Sequence, residues 1–281
     1  QRTPTFEEFP LPMNDVRKRL IFALLYDSGK FMLSRNFRLQ QVGDITWLER
    51  NYNFRETALA IDELIVLNVE RSRTSLDQFL EHVKKLNDDC FVPIAAGGGI
   101  RSVEDARRLL RSGADKVVIN TILHDDRGLV AELAAEFGKQ CLVASIDTKR
   151  VEGAFRVFID NGSRQIDGDL SSYLEEVTRL PVGEIYLNSM DRDGTGQGYD
   201  EDMLHLVSRD IAVPLILVGG AGKPEHFTFG LNDERVDAVC TAHLFNFVGN
   251  SLQLSRDHLL NEGMDLVKWD GNQLKSLADS V

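Results

Sequence analysis

Short runs of aliphatic and β-branched residues recur along the chain at Leu20–Leu24, Glu63–Leu67, Val92–Ala96, Lys116–Ile119, Cys141–Ile146, Glu184–Leu187, Pro214–Val218 and Ala238–Cys240. They are short, apolar and bounded by turn-forming residues, as buried strands are. Between them lie Ser75–Leu86, Val103–Leu110, Leu129–Phe137 and Leu170–Leu180, whose apolar residues recur at three and four, the spacing of one helix face. Strands alternating with helices predict a parallel α/β sheet, either closed as a barrel or open.

The spacing chooses between the two. Strand starts in the first half are about 43, 29 and 24 residues apart, and in the second half about 43, 30 and 24. Residues repeat too. Gly97-Gly98-Gly99-Ile100 answers Gly219-Gly220-Ala221-Gly222, the run Ile61–Asn68 answers Val182–Ser189, and Gly113–Asn120 answers Arg235–Ala242. Two equal (βα)₄ halves close into a (β/α)₈ TIM barrel, whereas an open doubly wound sheet has no reason to repeat in this way. No GxGxxG follows the first strand, so a dinucleotide-binding fold is not expected. The reading is one barrel over 13–265, with half-barrels at about 17–138 and 139–265 and a C-terminal tail at 266–281. Residues 1–12, with three prolines, are expected to be an appended remnant or flexible arm.

Composition adds limits. Of the 281 residues, 43% are hydrophobic and 27% charged, as in an ordinary folded domain. Asp and Glu total 44 against 32 Lys and Arg, a net charge of −12. That balance opposes nonspecific binding to nucleic acid or an anionic membrane. Cys90, Cys141 and Cys240 are odd in number and far apart, which suits a reducing cytoplasm and offers neither a disulfide framework nor a metal site. No cofactor is expected.

In such barrels, chemistry sits at the C-terminal ends of the strands. Glycine clusters fall there, at 97–99 and at 219–222. Glycine lets backbone N–H groups approach an anion, and a following helix adds partial positive charge. Ser102 is a candidate N-cap after the first cluster, and the second precedes a helix expected at Pro224–Phe229. Two such cradles on opposite sides of one mouth suit a ligand phosphorylated at each end, and the glycine-rich loop 194–200 is expected to help the second. Asp147 ends the fifth strand and Asp193 follows the sixth. Each is a candidate general acid or base; equally, each suits a helix cap or a salt bridge, to Lys149 or Arg192.

The segments SMDRDGTGQGYD, AAGGGI, GADKVVINT, SIDTKRVEG and VGGAGKPEHF, in one register from about Arg17 to about Phe247, resemble the cyclase subunit of imidazole glycerol phosphate synthase, HisF. The resemblance implies a half-barrel repeat and a bisphosphorylated ligand across the mouth. It also implies a glutaminase partner (HisH) on the opposite face, whose ammonia travels through the barrel. An ammonia gate is implied at Arg19, Glu63, Lys116 and Glu184, and a partner contact at Asp115. A ring of paired charges that merely closes the barrel is the structural alternative for the gate. Phosphate contacts are implied at Gly98, Gly99, Asn120 and Thr121, and at Gly194, Gly219, Gly220, Ala242 and His243. For His243, packing or capping is an equal alternative.

The resemblance also implies two catalytic aspartates. The second is Asp147; the first position holds Leu25, which transfers no proton. Asp27 lies two residues on, but using it breaks the register at Gly29, Asn36 and Phe37. Leu33, Arg35, Asn68 and His243 depart from the pattern at the same mouth. Leu25, the run Val42–Asp44 and the third strand within Cys90–Ile100 resemble HisF paralogues of surface-polysaccharide gene sets. These are implicated, beside an ATP-dependent amidotransferase, in making acetamidino sugars. The leading expectation is therefore a barrel that conducts ammonia for sugar amidation and has lost the histidine-pathway cyclase reaction. A working cyclase and a non-enzymatic glutaminase activator are the alternatives.

Overall fold

A computed structural model describes residues 17–52, 57, 59–72, 76–244, 246 and 249–268. The arm at 1–12, Ser75 and most of the expected tail lie outside these residues. Eight parallel strands close into a barrel. In chain order they are β1 (Arg19–Asp27), β4 (Glu63–Asn68), β5 (Ile94–Gly97), β6 (Lys116–Ile119), β7 (Leu142–Val151), β10 (Glu184–Ser189), β11 (Leu215–Val218) and β12 (Ala238–Thr241). β12 pairs with β1, with Arg19 beside Ala238, and β7 pairs with β10, so no edge is left in the ring.

Alternation along β1 shows how the sequence divides inside from outside. Leu20, Phe22, Leu24 and Tyr26 join the layer under the helices. Ile21 and Ala23 belong to the core within the barrel, and Leu25 lines its mouth. The period of two is that of any strand. Outside lie α1 (Ile45–Asn51), α2 (Leu76–Asp89), α3 (Val103–Arg111), α4 (Ile122–Asp125), α5 (Arg127–Phe137), α6 (Leu170–Thr178), α7 (Glu201–His205), α8 (Pro224–Leu231) and α9 (Ser251–Asn261). Ser102 caps α3 as expected, accepting from the Asp105 N–H at 3.1 Å.

The first strand of each half is longer than the apolar runs suggest, because each continues into an antiparallel hairpin. β1 is followed by β2 (Lys30–Arg35) and β3 (Arg38–Gly43). β7 is followed by β8 (Ala154–Ile159) and β9 (Arg164–Gln165). The half-barrel repeat thus extends to the insertions over the mouth.

At the bottom, an aspartate precedes each of β4, β6 and β12. Asp62, Asp115 and Asp237 each accept a strand N–H, from Leu20, Ile94 and Leu215 respectively, all at 2.8 Å. Each therefore ties its strand to the neighbour at its first rung. Among the described residues no helix is long and apolar enough to cross a membrane.

Candidate functional site

Two polar constellations lie at opposite ends of the barrel interior. At the bottom, β1, β4, β6 and β10 bring together Arg19, Glu63, Lys116 and Glu184. Arg19 meets Glu63 at 2.8 Å and Glu184 at 2.6 Å, and Lys116 meets both carboxylates at 2.9 Å. The charges alternate in a closed ring. Burial raises the Glu63 pKa, with Glu184 pushing the same way and Lys116 and Arg19 opposing. Burial works against the Arg19 charge, but Glu184 and Glu63 outweigh it and raise its pKa. Glu63 accepts both cations on one oxygen, and its other oxygen is buried without a hydrogen-bond partner. Such an atom costs free energy unless something polar visits it.

At the top, the mouth is two unlike walls. On the second-half wall Asp147 and Asn188 are register partners across β7 and β10. The Asn188 amide donates to one Asp147 oxygen at 2.9 Å, and the Asn120 amide to the other at 3.2 Å. Burial, the largest effect, and the nearby Asp193 outweigh these bonds and push the Asp147 pKa up to about 7. A carboxyl poised there gains or loses a proton near neutrality, which suits general acid–base work. On the first-half wall the corresponding register pair across β1 and β4 is Leu25 and Leu67, and both line the cavity. Asp27 lies beyond them, at the β1–β2 turn, with one oxygen accepting from the Ser28 hydroxyl at 2.7 Å, and it does not line the mouth.

Asp193 makes neither the cap nor the Arg192 salt bridge that its position allowed. One carboxylate oxygen accepts from the Ser34 hydroxyl and from the Phe37 N–H at 2.9 Å. Its main-chain oxygen accepts the Asn36 N–H at 2.9 Å. It fastens the first hairpin across the mouth. Burial raises its pKa against the opposing Ser34 and Phe37 bonds. The second hairpin crosses the other way: Asn161 donates to the Val69 carbonyl at 3.2 Å, and Asp160 pairs with Arg101 at 3.1 Å. Each hairpin is held by the opposite half.

Gly98, Gly99, Gly219 and Gly220 of the glycine clusters border this cavity, as do Thr121, Gly194, Ala242 and His243. Gly98 and Gly220 share φ +108°, and a Cβ would fall 2.0 Å from the Asn68 carbonyl oxygen and 2.1 Å from that of Gly198. Backbone crowding thus demands glycine at both places whether or not phosphate binds. Asn120, expected beside phosphate, spends its amide on Asp147 and on the Ser145 carbonyl. Thr121 accepts the Asp160 N–H through its hydroxyl at 3.2 Å. Burial lowers the His243 pKa, and its Nδ1 lies 3.3 Å from the Asn246 N–H, which leaves Nε2 as the nitrogen free to meet a ligand. Asp115 is exposed, and its hydrogen bond to Ile94 is a structural duty shared with Asp62 and Asp237.

Sequence reasoning missed Asn188 as the residue orienting Asp147, and Ser34 and Phe37 as holders of Asp193. Asn188 has no motif to announce it; the signal was its place two residues beyond another inward position of β10. Among the described residues no cluster of His, Cys, Asp or Glu is arranged to hold a metal ion.

Comparison with known proteins gives a consistent picture. Residues 36–250 match the model of a family described as histidine biosynthesis protein. The chain is 45% identical over 254 residues to a protein of Parasynechococcus marenigrum provisionally named imidazole glycerol phosphate synthase subunit hisF2, covering 90% of this chain and 94% of that one. It is 37% identical over 248 residues to the imidazole glycerol phosphate synthase subunit HisF of Chlorobaculum tepidum, and equally to that of Chlorobium luteolum. Those two matches cover 88% of this chain and 97% of each relative.

Proposed function

The chain belongs to the histidine biosynthesis protein family as a HisF homologue, and from that premise we propose that it receives ammonia from a HisH-like glutaminase and conducts it through the barrel for an amidation completed elsewhere. The observation that carries this reading is the contrast between the two ends. The charged ring at the bottom is complete, while the mouth sets Asp147, oriented by the Asn188 amide, opposite Leu25 and Leu67. A reaction that needs an acid and a base from facing walls has lost one of them, and a general acid or base contributes roughly 10²–10⁴-fold. A conduit has lost nothing.

Within this reading the ring is the gate, and the unpaired Glu63 oxygen is the acceptor an ammonia molecule meets on entry. The glutaminase docks on the bottom face, where Asp115 is exposed. The amidation acceptor is a sugar carried by an ATP-dependent amidotransferase. That assignment rests on the resemblance carried by Leu25, Val42–Asp44 and Cys90–Ile100. A phosphorylated group of the acceptor is held by the glycine amides of the mouth.

The deciding experiment supplies the isolated chain with the HisF substrate and excess ammonium salt, so that no glutaminase is needed. Folded protein is expected to form no imidazole glycerol phosphate. Turnover would overturn the Leu25 argument and make the chain a cyclase. Lys116→Met, in the complex with the glutaminase, is expected to leave glutamine hydrolysis and binding intact while uncoupling ammonia transfer. Coupling that survives there and in Arg19 and Glu184 variants would remove the conduit and leave a glutaminase-activating scaffold.

A further inference from the structure

Between the ring and the mouth the interior holds one large polar-tipped side chain that neither constellation uses. Strand β10 sends Glu184, Tyr186 and Asn188 inward at alternate positions: the first into the ring, the last onto Asp147. Four residues of strand span about 13 Å, and Tyr186 stands at the middle. It is 3% exposed and belongs to the inner core, with Ala23, Ala95 and Ala238 among the small residues that leave space for its ring. With Val118, Val218 and Cys240 it floors the mouth cavity, whose lining stops there and does not extend to the ring. Its hydroxyl lies beside the Cys240 sulfur, a weak acceptor. The phenol is therefore both a plug and a hydrogen-bond donor beside a partner that a better acceptor displaces.

We infer that Tyr186 is an inner gate, closing the barrel interior between the charged ring and the mouth, with its hydroxyl as the polar contact that ammonia meets on the way. The inference rests on the conduit reading. It explains why a strand lined by small aliphatic neighbours carries a phenol at its central level. An ammonia nitrogen accepts a hydrogen bond more strongly than a thiol sulfur does, so its arrival exchanges the Tyr186–Cys240 contact for a stronger one. The ring then turns into the space beside Ala23 and Ala95.

The test uses the full chain carrying [ζ-¹³C]tyrosine, with the Tyr186 resonance assigned by its loss in Tyr186→Phe. Ammonium chloride is titrated at about pH 9, where much of it is neutral ammonia, with sodium chloride and trimethylamine hydrochloride as controls. A saturable shift of the Tyr186 resonance with ammonia alone is expected; a response no larger than that to sodium chloride overturns the proposal. Crystals under xenon read the plug. The wild type is expected to hold no xenon between the floor and the ring, and Tyr186→Ala to hold one there with the ring ion pairs unchanged. Xenon below Tyr186 in the wild type means that the phenol does not close the interior. The two readings fail separately. Uncoupling by Lys116→Met with a silent Tyr186 resonance keeps the conduit and removes the gate. Coupling untouched by Lys116→Met and by the Arg19 and Glu184 variants removes the conduit, and any ammonia response at Tyr186 then marks a dead-end site, which also overturns the gate.

Discussion

Replacing Asp147 by Asn should stabilise the fold, and the gain should grow with pH. The Asp147 carboxyl is buried at the wall of the mouth, and its pKa rises from an ordinary 3.8 to about 7, chiefly through burial. Between about pH 4 and pH 7 the folded chain holds a proton that the unfolded chain has released, so stability falls as pH rises through that window. The full gap corresponds to about 4 kcal/mol, of which about 3 kcal/mol falls between pH 5 and pH 8. The asparagine fits. The Asn188 carbonyl oxygen is buried without a partner, so half a turn of that amide lets it accept from the amide introduced opposite. Burial also raises the Asp193 pKa, which steepens the wild-type curve in the same sense. The difference between wild type and Asp147→Asn isolates the Asp147 contribution. Urea unfolding of both proteins at pH 5, 6, 7 and 8 measures it, with equal m-values as the condition for comparison. Two stability curves that run parallel across this range would refute the burial argument.

Other expectations follow from single contacts. Ser34→Ala removes a buried hydrogen bond to Asp193, which should cost about 1.5–3 kcal/mol, raise the Asp193 pKa further, and speed hydrogen exchange at the Phe37 amide. Gly194→Ala places a Cβ 1.8 Å from the Ser34 carbonyl oxygen at φ +65°, so it should lift the first hairpin and expose the Asn36 and Phe37 amides to exchange while the barrel strands stay protected. Arg256 is 1% exposed and forms a bidentate pair with Asp62 at 3.0 and 2.8 Å. Arg256→Met should therefore cost about 3–5 kcal/mol in urea unfolding by stranding that carboxylate. Among the cysteines, a thiol reagent should label Cys141 first, since it is half-buried, whereas burial pushes the Cys90 thiol up to about 11 and raises Cys240 as well.

The barrel was legible because strand spacing and half-repeats are properties of the chain itself. The ring was legible only through family resemblance: Arg19, Glu63, Lys116 and Glu184 come from four strands, and no local pattern joins them. The hairpins carried readable signals that the apolar runs obscured. Ser28-Gly29 and Glu152-Gly153 are two-residue turns with positive φ at both positions, and Asn161-Gly162 is the dipeptide such turns favour. Asn36-Phe37 is the opposite case, with φ 50° and 61° and no glycine. Phe37 accepts that conformation while its N–H reaches Asp193, a tertiary bond no sequence window contains. Asp115 taught a similar lesson. Its place as a partner contact was implied by resemblance alone, whereas its backbone bond follows a pattern it shares with Asp62 and Asp237, an aspartate one residue before a strand.

The asymmetry of the mouth has its own chemical logic for a conduit. Ammonia is a nucleophile only while neutral, and a protonated molecule needs water or a counter-charge. Under the conduit proposal, ammonia at the ring meets a charged collar whose four members are already paired with one another, leaving a single acceptor oxygen to spare. On the same proposal it would emerge past Tyr186 beside Leu25 and Leu67, which offer an ammonium ion nothing. A carboxylate at Leu25 would do the reverse, drawing ammonium to the exit and holding it there. Among the ionisable groups that line the mouth, Asp147 stands on the wall opposite these leucines with a pKa near neutrality, so near pH 7 an appreciable share of it is ionised and able to take up a proton. Under the conduit proposal the leucines and Asp147 form one arrangement, an exit that keeps ammonia uncharged until an acceptor is in place. Leu25→Asp tests it. That variant should retain more ammonium at the mouth, read by ¹⁵N-ammonium exchange, and should transfer less of it in the complex with the glutaminase. Transfer equal to the wild type would mean that the apolar wall has no part in delivery.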